Sequence, residues 1–183
     1  MKFDYSADFK NTDFRKHPEL YKIGVGEQGV LLVEPYKSEI LPYWRFKNPE
    51  IAKTSSDKIY NLFLNYLENL DFVGADMARK FLQMGFTRAR RYANHASGQK
   101  YEENPHNVAL KNYFHDTKNL TTTEMKKARK KILPQNLDWK DNEKAKSAEI
   151  FKKKYDLART HKKYLELKKL HILKYDTKIS NVR

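Results

Sequence analysis

One stretch of this chain concentrates side chains able to do chemistry: Phe86-Thr-Arg-Ala-Arg-Arg-Tyr-Ala-Asn-His95. If Thr87 caps a short helix after Gly85, steps of 100° place Arg88, Arg91, Tyr92 and His95 within one sector of roughly 100°. Arg90 and Asn94 then share a neighbouring face. Guanidinium forks match phosphate oxygens and a tyrosine ring stacks on a base, so the pattern suits a nucleic-acid surface. Arg88, Arg90, Arg91 and Lys100 are the candidate phosphate ligands, with Tyr92 and Trp44 as candidate base-stacking rings. The same arginines also suit internal pairing with Asp71, Asp76, Glu102 or Glu103, with Tyr92 closing the core.

Other chemistry is thinly represented. No nucleophile elbow, no zinc-binding helix motif and no patterned pair of carboxylates occurs, so no catalytic residue is assigned, and His95 beside Arg91 and Tyr92 is the one place for a general base. There are no cysteines, which excludes disulfides and thiolate metal sites. His106 and His115 lie in a polar connection without a third ligand at familiar spacing, so no metal or cofactor is expected. Gly24, Gly26 and Gly29 match G-x-G-x-x-G. A dinucleotide fold needs a helix directly after those glycines, whereas here the β-branched run Val30 to Val33 follows, stopped by Pro35. The segment reads as the turn of a small β-hairpin between Leu20–Ile23 and Val30–Val33, with phosphate cradling by its amides as the alternative.

The elements that must position the arginines are helical. Asn48-Pro49-Glu50 has the form of an N-cap, a proline at the first helical position and an acid in the first turn. From Ile59 the apolar residues Leu62, Phe63, Tyr66, Leu67 and Leu70 fall on one helix face. Asp71 caps a second helix with apolar face Met77, Ala78, Phe81, Leu82 and Met84, and Gly85 is expected to end it. The aromatics Phe3, Tyr5, Phe9, Phe14 and Tyr21 mark residues 1–21 as an extended arm plugged into the core, and Trp44 and Phe46 suit wedges beneath the helices. Residues 102–142 read as a polar connection in which Thr121-Thr-Thr-Glu124 offers a capping box and Met125 to Leu133 form a short basic helix, stopped by Pro134. One long basic helix is expected from Asn142 to about Tyr175, with only its first half packed, and the last residues as a tail.

The fold class that follows is mainly α with a small β-hairpin: a single compact helical domain over residues 1–101, then the connection, then the basic helix and tail over 143–183. The net charge is +14. Residues 1–123 carry 18 Lys+Arg against 15 Asp+Glu, while residues 124–183 carry 19 against 8, so +11 of it lies in the last third. A balanced body with a basic tail points to a polyanionic partner, nucleic acid or an acidic protein. The longest apolar run, Gly29 to Val33, is far too short to span a membrane and the first residues lack a signal peptide, so a cytoplasmic location is expected.

Several strings carry a resemblance: Phe14-Arg-Lys-His-Pro-Glu-Leu-Tyr21, Gly26-Glu-Gln-Gly-Val-Leu-Leu-Val-Glu-Pro-Tyr-Lys37, Trp44-Arg-Phe46, Met77-Ala-Arg-Lys-Phe-Leu-Gln-Met-Gly85 and Arg88-Ala-Arg-Arg-Tyr-Ala-Asn-His95. The chain resembles an uncharacterised domain-of-unknown-function family, number 4385, whose members are labelled only as cytoplasmic proteins of bacteria, phages and large algal viruses. The strings cover roughly residues 1–101 and resume near Ala148-Glu-Ile-Phe-Lys152. The resemblance implies that the glycine segment, Trp44 and the arginines belong to one domain, and it implies no activity. Two function classes stand: a non-catalytic nucleic-acid-binding accessory protein that contacts phosphates, or a protein-interaction or virion component that binds an acidic partner.

Overall fold

Five α-helices make up the regular structure of the computed structural model, which describes residues 5, 7–101 and 132–176. They are α1 (Tyr36–Ile40), α2 (Pro49–Glu68), α3 (Phe72–Asn94), α4 (Glu143–Thr160) and α5 (Lys162–His171). α3 is the central helix: it packs against both α2 and α4, which also touch each other. The expected short helix before Pro134, the histidines at 106 and 115, and the last tail residues fall outside the described residues.

The entry to α2 follows its sequence signature. The Asn48 side chain accepts from the Ile51 backbone N–H at 2.9 Å, and Pro49 occupies the first turn. Its exit is built from bonds typical of a Schellman motif: the Asp71 N–H donates to the Tyr66 carbonyl at 2.8 Å, and the Leu70 N–H donates to the Leu67 carbonyl at 3.1 Å. Leu70 takes the left-handed position, with φ 57° and two-thirds of its surface exposed, so it is not part of the buried face assigned to it from periodicity. Asp71 then caps α3, accepting from the Gly74 N–H at 2.9 Å.

Gly85 does not end α3. The helix runs unbroken to Asn94, so Thr87 starts no separate helix and the arginines ride on the last turns of the central helix. Gly85 is there for close approach: a Cβ at this position would lie 2.2 Å from the Phe151 ring of α4. Gly74 plays the same part toward Tyr66 and Tyr36, at 2.7 and 2.8 Å. Helix continuity costs a glycine about 1 kcal/mol relative to alanine, and here the burial of a full phenylalanine ring offsets it.

No strand forms among the described residues, and the expected β-hairpin is absent. Pro18–Leu20 form a 3-10 turn, and the N–H groups of Val30, Leu32 and Val33 donate locally to Glu27 and Gly29 carbonyls at 2.9–3.2 Å. Val30, Val33, Tyr36 and Ile40 are all buried, at a spacing of three to four residues. The β-branched run therefore follows helical periodicity into α1, and those three N–H groups are satisfied within the chain of turns rather than by a neighbouring strand. The arm packs into the core in part: Phe14 and Tyr21 are buried and Phe9 stacks on Phe14 at 5.7 Å, whereas Tyr5 is 63% exposed and does not plug into the core as expected.

The basic helix is two helices. His161 adopts an extended conformation between α4 and α5. This break turns Tyr164 inward between Phe63 and Phe72, with ring centroids 5.9 Å from each, and it also buries His171. Both halves thus pack on the body, not the first alone.

Candidate nucleic-acid interface

The last turns of α3 carry the arginines, and the structure separates them. Arg90 is engaged internally: it donates to the Trp139 carbonyl at 3.1 Å and pairs with Glu149 of α4 at 2.9 Å. Arg88 and Arg91 are exposed and have no acceptor among the described residues. Being three residues apart, they sit about 60° apart around the helix and about 4.5 Å along it. That is close enough for two guanidinium groups to reach neighbouring phosphates of one strand. Arg15, Arg45, Arg79 and Arg159, like Arg90, all donate to carboxylates or carbonyls of the protein.

The proposed stacking rings are held by protein. Tyr92 lies 5.9 Å from Phe46 and against Gly98, where a Cβ would come within 2.9 Å of the ring; 41% of the residue stays exposed. Lys144 of α4 sits over Phe46 and Tyr92 at 5.3 and 6.0 Å and donates to the Phe46 and Lys47 carbonyls at 3.2 and 2.7 Å. Trp44 packs edge-on to Phe46 at 5.1 Å against the core, and its Nε1 is buried without an acceptor. These rings form a packed row, which suits Trp44 to a wedge rather than to a stacking surface. Lys100 is exposed, 5.7 Å above the Tyr101 ring, where an antiparallel bridge joins Tyr101 to Ile132.

Three side chains fix the end of α3 that displays Arg91. Asn136 and Asn142 donate to the Ala93 carbonyl at 2.9 and 3.0 Å, and the His95 ring meets the Pro134 carbonyl at 3.1 Å. His95 is buried in this contact, which does not favour it as a general base. The amide donors neutralise part of the negative pole that a helix C-terminus would present to an approaching phosphate.

The middle of α3 holds a polar cluster that periodicity did not reveal. Asp76 is fully buried; Arg79 and Tyr164 donate to its Oδ1 at 2.9 and 2.7 Å, Tyr21 donates to its Oδ2, and Lys80 lies 3.4 Å from Oδ2. Lys80, also fully buried, donates to the Tyr21 hydroxyl at 3.0 Å and to the Gln28 carbonyl at 2.7 Å. Burial alone would push the Asp76 carboxyl up, but the charges of Arg79 and Lys80 and the two phenols outweigh it and hold it well below the usual carboxylate range. Burial lowers Lys80, with Asp76 opposing, and burial together with Asp76 pushes the Tyr21 and Tyr164 phenols up. The spacing of Asp76, Arg79 and Lys80, i, i+3 and i+4 inside an apolar helix, was the available signal.

Through Gln28, the cluster also fixes the glycine segment. Glu27 accepts from Thr87, the Val25 N–H is taken by the Gln28 side chain at 2.9 Å, and Gly26 lies against Gln83. The segment is strapped along α3 by these contacts, and the left-handed φ of 62° and 81° at Gly26 and Gly29 serves that path.

Among the described residues no group of His, Asp and Glu side chains is arranged to hold a metal ion, and no helix is long and apolar enough to cross a membrane. No curated protein and no solved structure matches the chain. A family model does, and its match extends beyond the strings that carried the resemblance, through the connection and both basic helices. Over residues 4–174 the chain belongs to the family described as Domain of unknown function (DUF4385).

Proposed function

We propose that the protein is a non-catalytic nucleic-acid-binding accessory protein that grips the phosphate backbone with Arg88 and Arg91, supplemented by Lys100. One observation carries the reading. These two neighbouring arginines face solvent with no acceptor among the described residues, whereas the other described arginines are engaged by the protein. Arginine is favoured where phosphate is bound bidentately, and a rigid helix keeps both forks in register. Arg90 takes a supporting part here, tying α3 to α4 so that its neighbours point outward. The contact is to the backbone, so the protein discriminates little between sequences.

Salt titrations of duplex DNA and of single-stranded RNA test this. Each phosphate contact contributes about 0.9 to the slope of log K against log salt on duplex. Arg88→Gln with Arg91→Gln should therefore flatten the slope by about 1.8. Replacing Lys162, Lys163, Lys168 and Lys169 by Gln should lower affinity without removing that increment. A double arginine variant with an unchanged slope, or a wild-type protein that binds neither polymer at about 50 mM salt, overturns the proposal.

A further inference from the structure

Tyr92 sits among the unengaged cations at the end of α3. It follows Arg88 by one helical turn, so the two side chains are neighbours on one face, about 6 Å apart along the axis. Arg91 precedes it directly and is exposed, as is Lys47 on the segment before α2. Lys144 joins that segment to the ring: its Nζ lies 6.0 Å from the Tyr92 centroid and donates to the Lys47 carbonyl at 2.7 Å. Of the carboxylates on the elements around the ring, Glu149 is held by Arg90 and Asp138 accepts from Asn142 at 3.2 Å. Glu143 stands near Lys144 and is outnumbered by Lys144, Lys47, Arg88 and Arg91.

The ring is fixed in place. Phe46 lies 5.9 Å away, tilted by 44°, and Gly98 presses on the Cδ2–Cε2–Cζ side, where a Cβ would come within 2.9–3.1 Å. Gly98 itself has a left-handed φ of 69°, so glycine suits both the path of the chain and the close approach. Despite these contacts 41% of Tyr92 remains exposed. A ring that is already held and still meets water loses little side-chain freedom when a second flat surface covers it.

We propose that this site takes single-stranded nucleic acid in preference to duplex, with a base stacked on the exposed part of Tyr92 and flanking phosphates on Arg88, Arg91 and Lys47. The inference rests on the phosphate reading above and adds to it the form of the polymer. A ring set between cations is how proteins hold single strands: the cations follow the backbone, and the ring takes a base whatever its identity. A duplex offers its phosphates to the same arginines but keeps its base faces stacked inside, so Tyr92 gains nothing from it.

Fluorescence titrations of the full chain test this, with a short single-stranded oligonucleotide carrying 2-aminopurine and with the duplex of the same sequence. At equal salt the single strand should bind roughly tenfold more tightly, the effect of about one stacked base, and its fluorescence should be quenched. Tyr92→Leu, which keeps apolar contact with Phe46 and Gly98, should abolish the quenching and remove that tenfold preference. It should leave duplex affinity and the salt slope on each polymer unchanged, because stacking releases no counterions. Tyr92→Phe keeps the ring and should bind as the wild type does. Arg88→Gln with Arg91→Gln should weaken both polymers and flatten both slopes. Equal wild-type affinity for the two polymers, a preference that survives Tyr92→Leu, or a Tyr92→Leu loss shared equally by the duplex overturns this inference. In each case an arginine-dependent slope leaves the phosphate reading standing. A slope that the arginine variant does not change overturns both.

Discussion

Asp76→Asn probes the cluster that organises the core, because it keeps the side-chain shape and removes one charge. The two carboxylate oxygens divide the donors, Arg79 and Tyr164 on one, Tyr21 and Lys80 on the other. An asparagine has a single acceptor oxygen, so its NH2 must face one of those donor pairs, and the buried cations of Arg79 and Lys80 lose their counter-charge. Breaking a buried ion pair from one side costs about 3–5 kcal/mol, a large share of a total stability of about 5–15 kcal/mol. Lys80→Met should cost less, about 1–3 kcal/mol, since Arg79 still neutralises Asp76 and Tyr21 still donates to its Oδ2, although the Gln28 carbonyl, the Tyr21 hydroxyl and Asp76 each lose a contact with the lysine. Urea melts at neutral pH measure both. The pH dependence adds an independent check. The folded Asp76 titrates below its unfolded value of about 3.9, so its stabilisation is fully present above that pH and is lost as pH falls toward the folded value. The gap between wild type and Asp76→Asn should therefore narrow below about pH 4. An Asp76→Asn loss under about 1 kcal/mol, or a gap that stays constant down to about pH 2, refutes the claim that this carboxylate is the counter-charge of the core.

Two packing predictions follow from the contacts of α3. Gly85→Ala should destabilise by about 1–3 kcal/mol despite alanine's better helix propensity, because its Cβ would fall 2.2 Å from the Phe151 ring; thermal melts that show stabilisation would mean that α4 can move away freely. Phe81→Ala and Leu67→Ala, both at fully buried or nearly fully buried positions, should each cost about 2–5 kcal/mol in denaturant melts, and a loss below about 0.5 kcal/mol would misplace the buried face.

What could be read from the sequence was local. The caps at Asn48 and Asp71 use side-chain oxygens three residues before the N–H groups they accept from, so their spelling survives folding unchanged. The faces holding Phe63, Leu67, Phe81 and Leu82 follow helical periodicity and are buried. The misreadings arose where distant residues decide. Glycine is the commonest helix stop, but at Gly85 the decisive neighbour is Phe151, more than sixty positions away. Leucine is a poor residue for left-handed backbone, yet Leu70 takes it, where the Leu70 and Asp71 N–H groups close the α2 terminus onto the Leu67 and Tyr66 carbonyls. The run from Val30 to Val33 has strand propensity, and the burial of Val30 and Val33 in the core overrides that preference. At His161 no breaker residue announces the bend; the reason for it is the pocket that Tyr164 fills, between Phe63, Phe72 and Asp76.

The candidate site obeys the same division. Composition gave the protein an excess of cations but could not say which are already neutralised. Of the adjacent pair Arg90 and Arg91, one is paired to Glu149 and the other is unengaged among the described residues, and only the position of α4 distinguishes them. Arg79 and Lys80 count toward the same net charge while serving the interior. On α4, Lys152 and Arg159 share Asp156 and Lys154 pairs with Asp57 of α2. That helix is therefore less available to a polyanion than its composition suggests, whereas α5 retains exposed lysines without salt bridges among the described residues. A polyanion would accordingly feel two separate fields, one at the end of α3 and one along α5. The first is made of arginines held by a capped, rigid helix and suits phosphate. The second is made of the exposed Lys162 and Lys169 of α5, which form no salt bridge among the described residues.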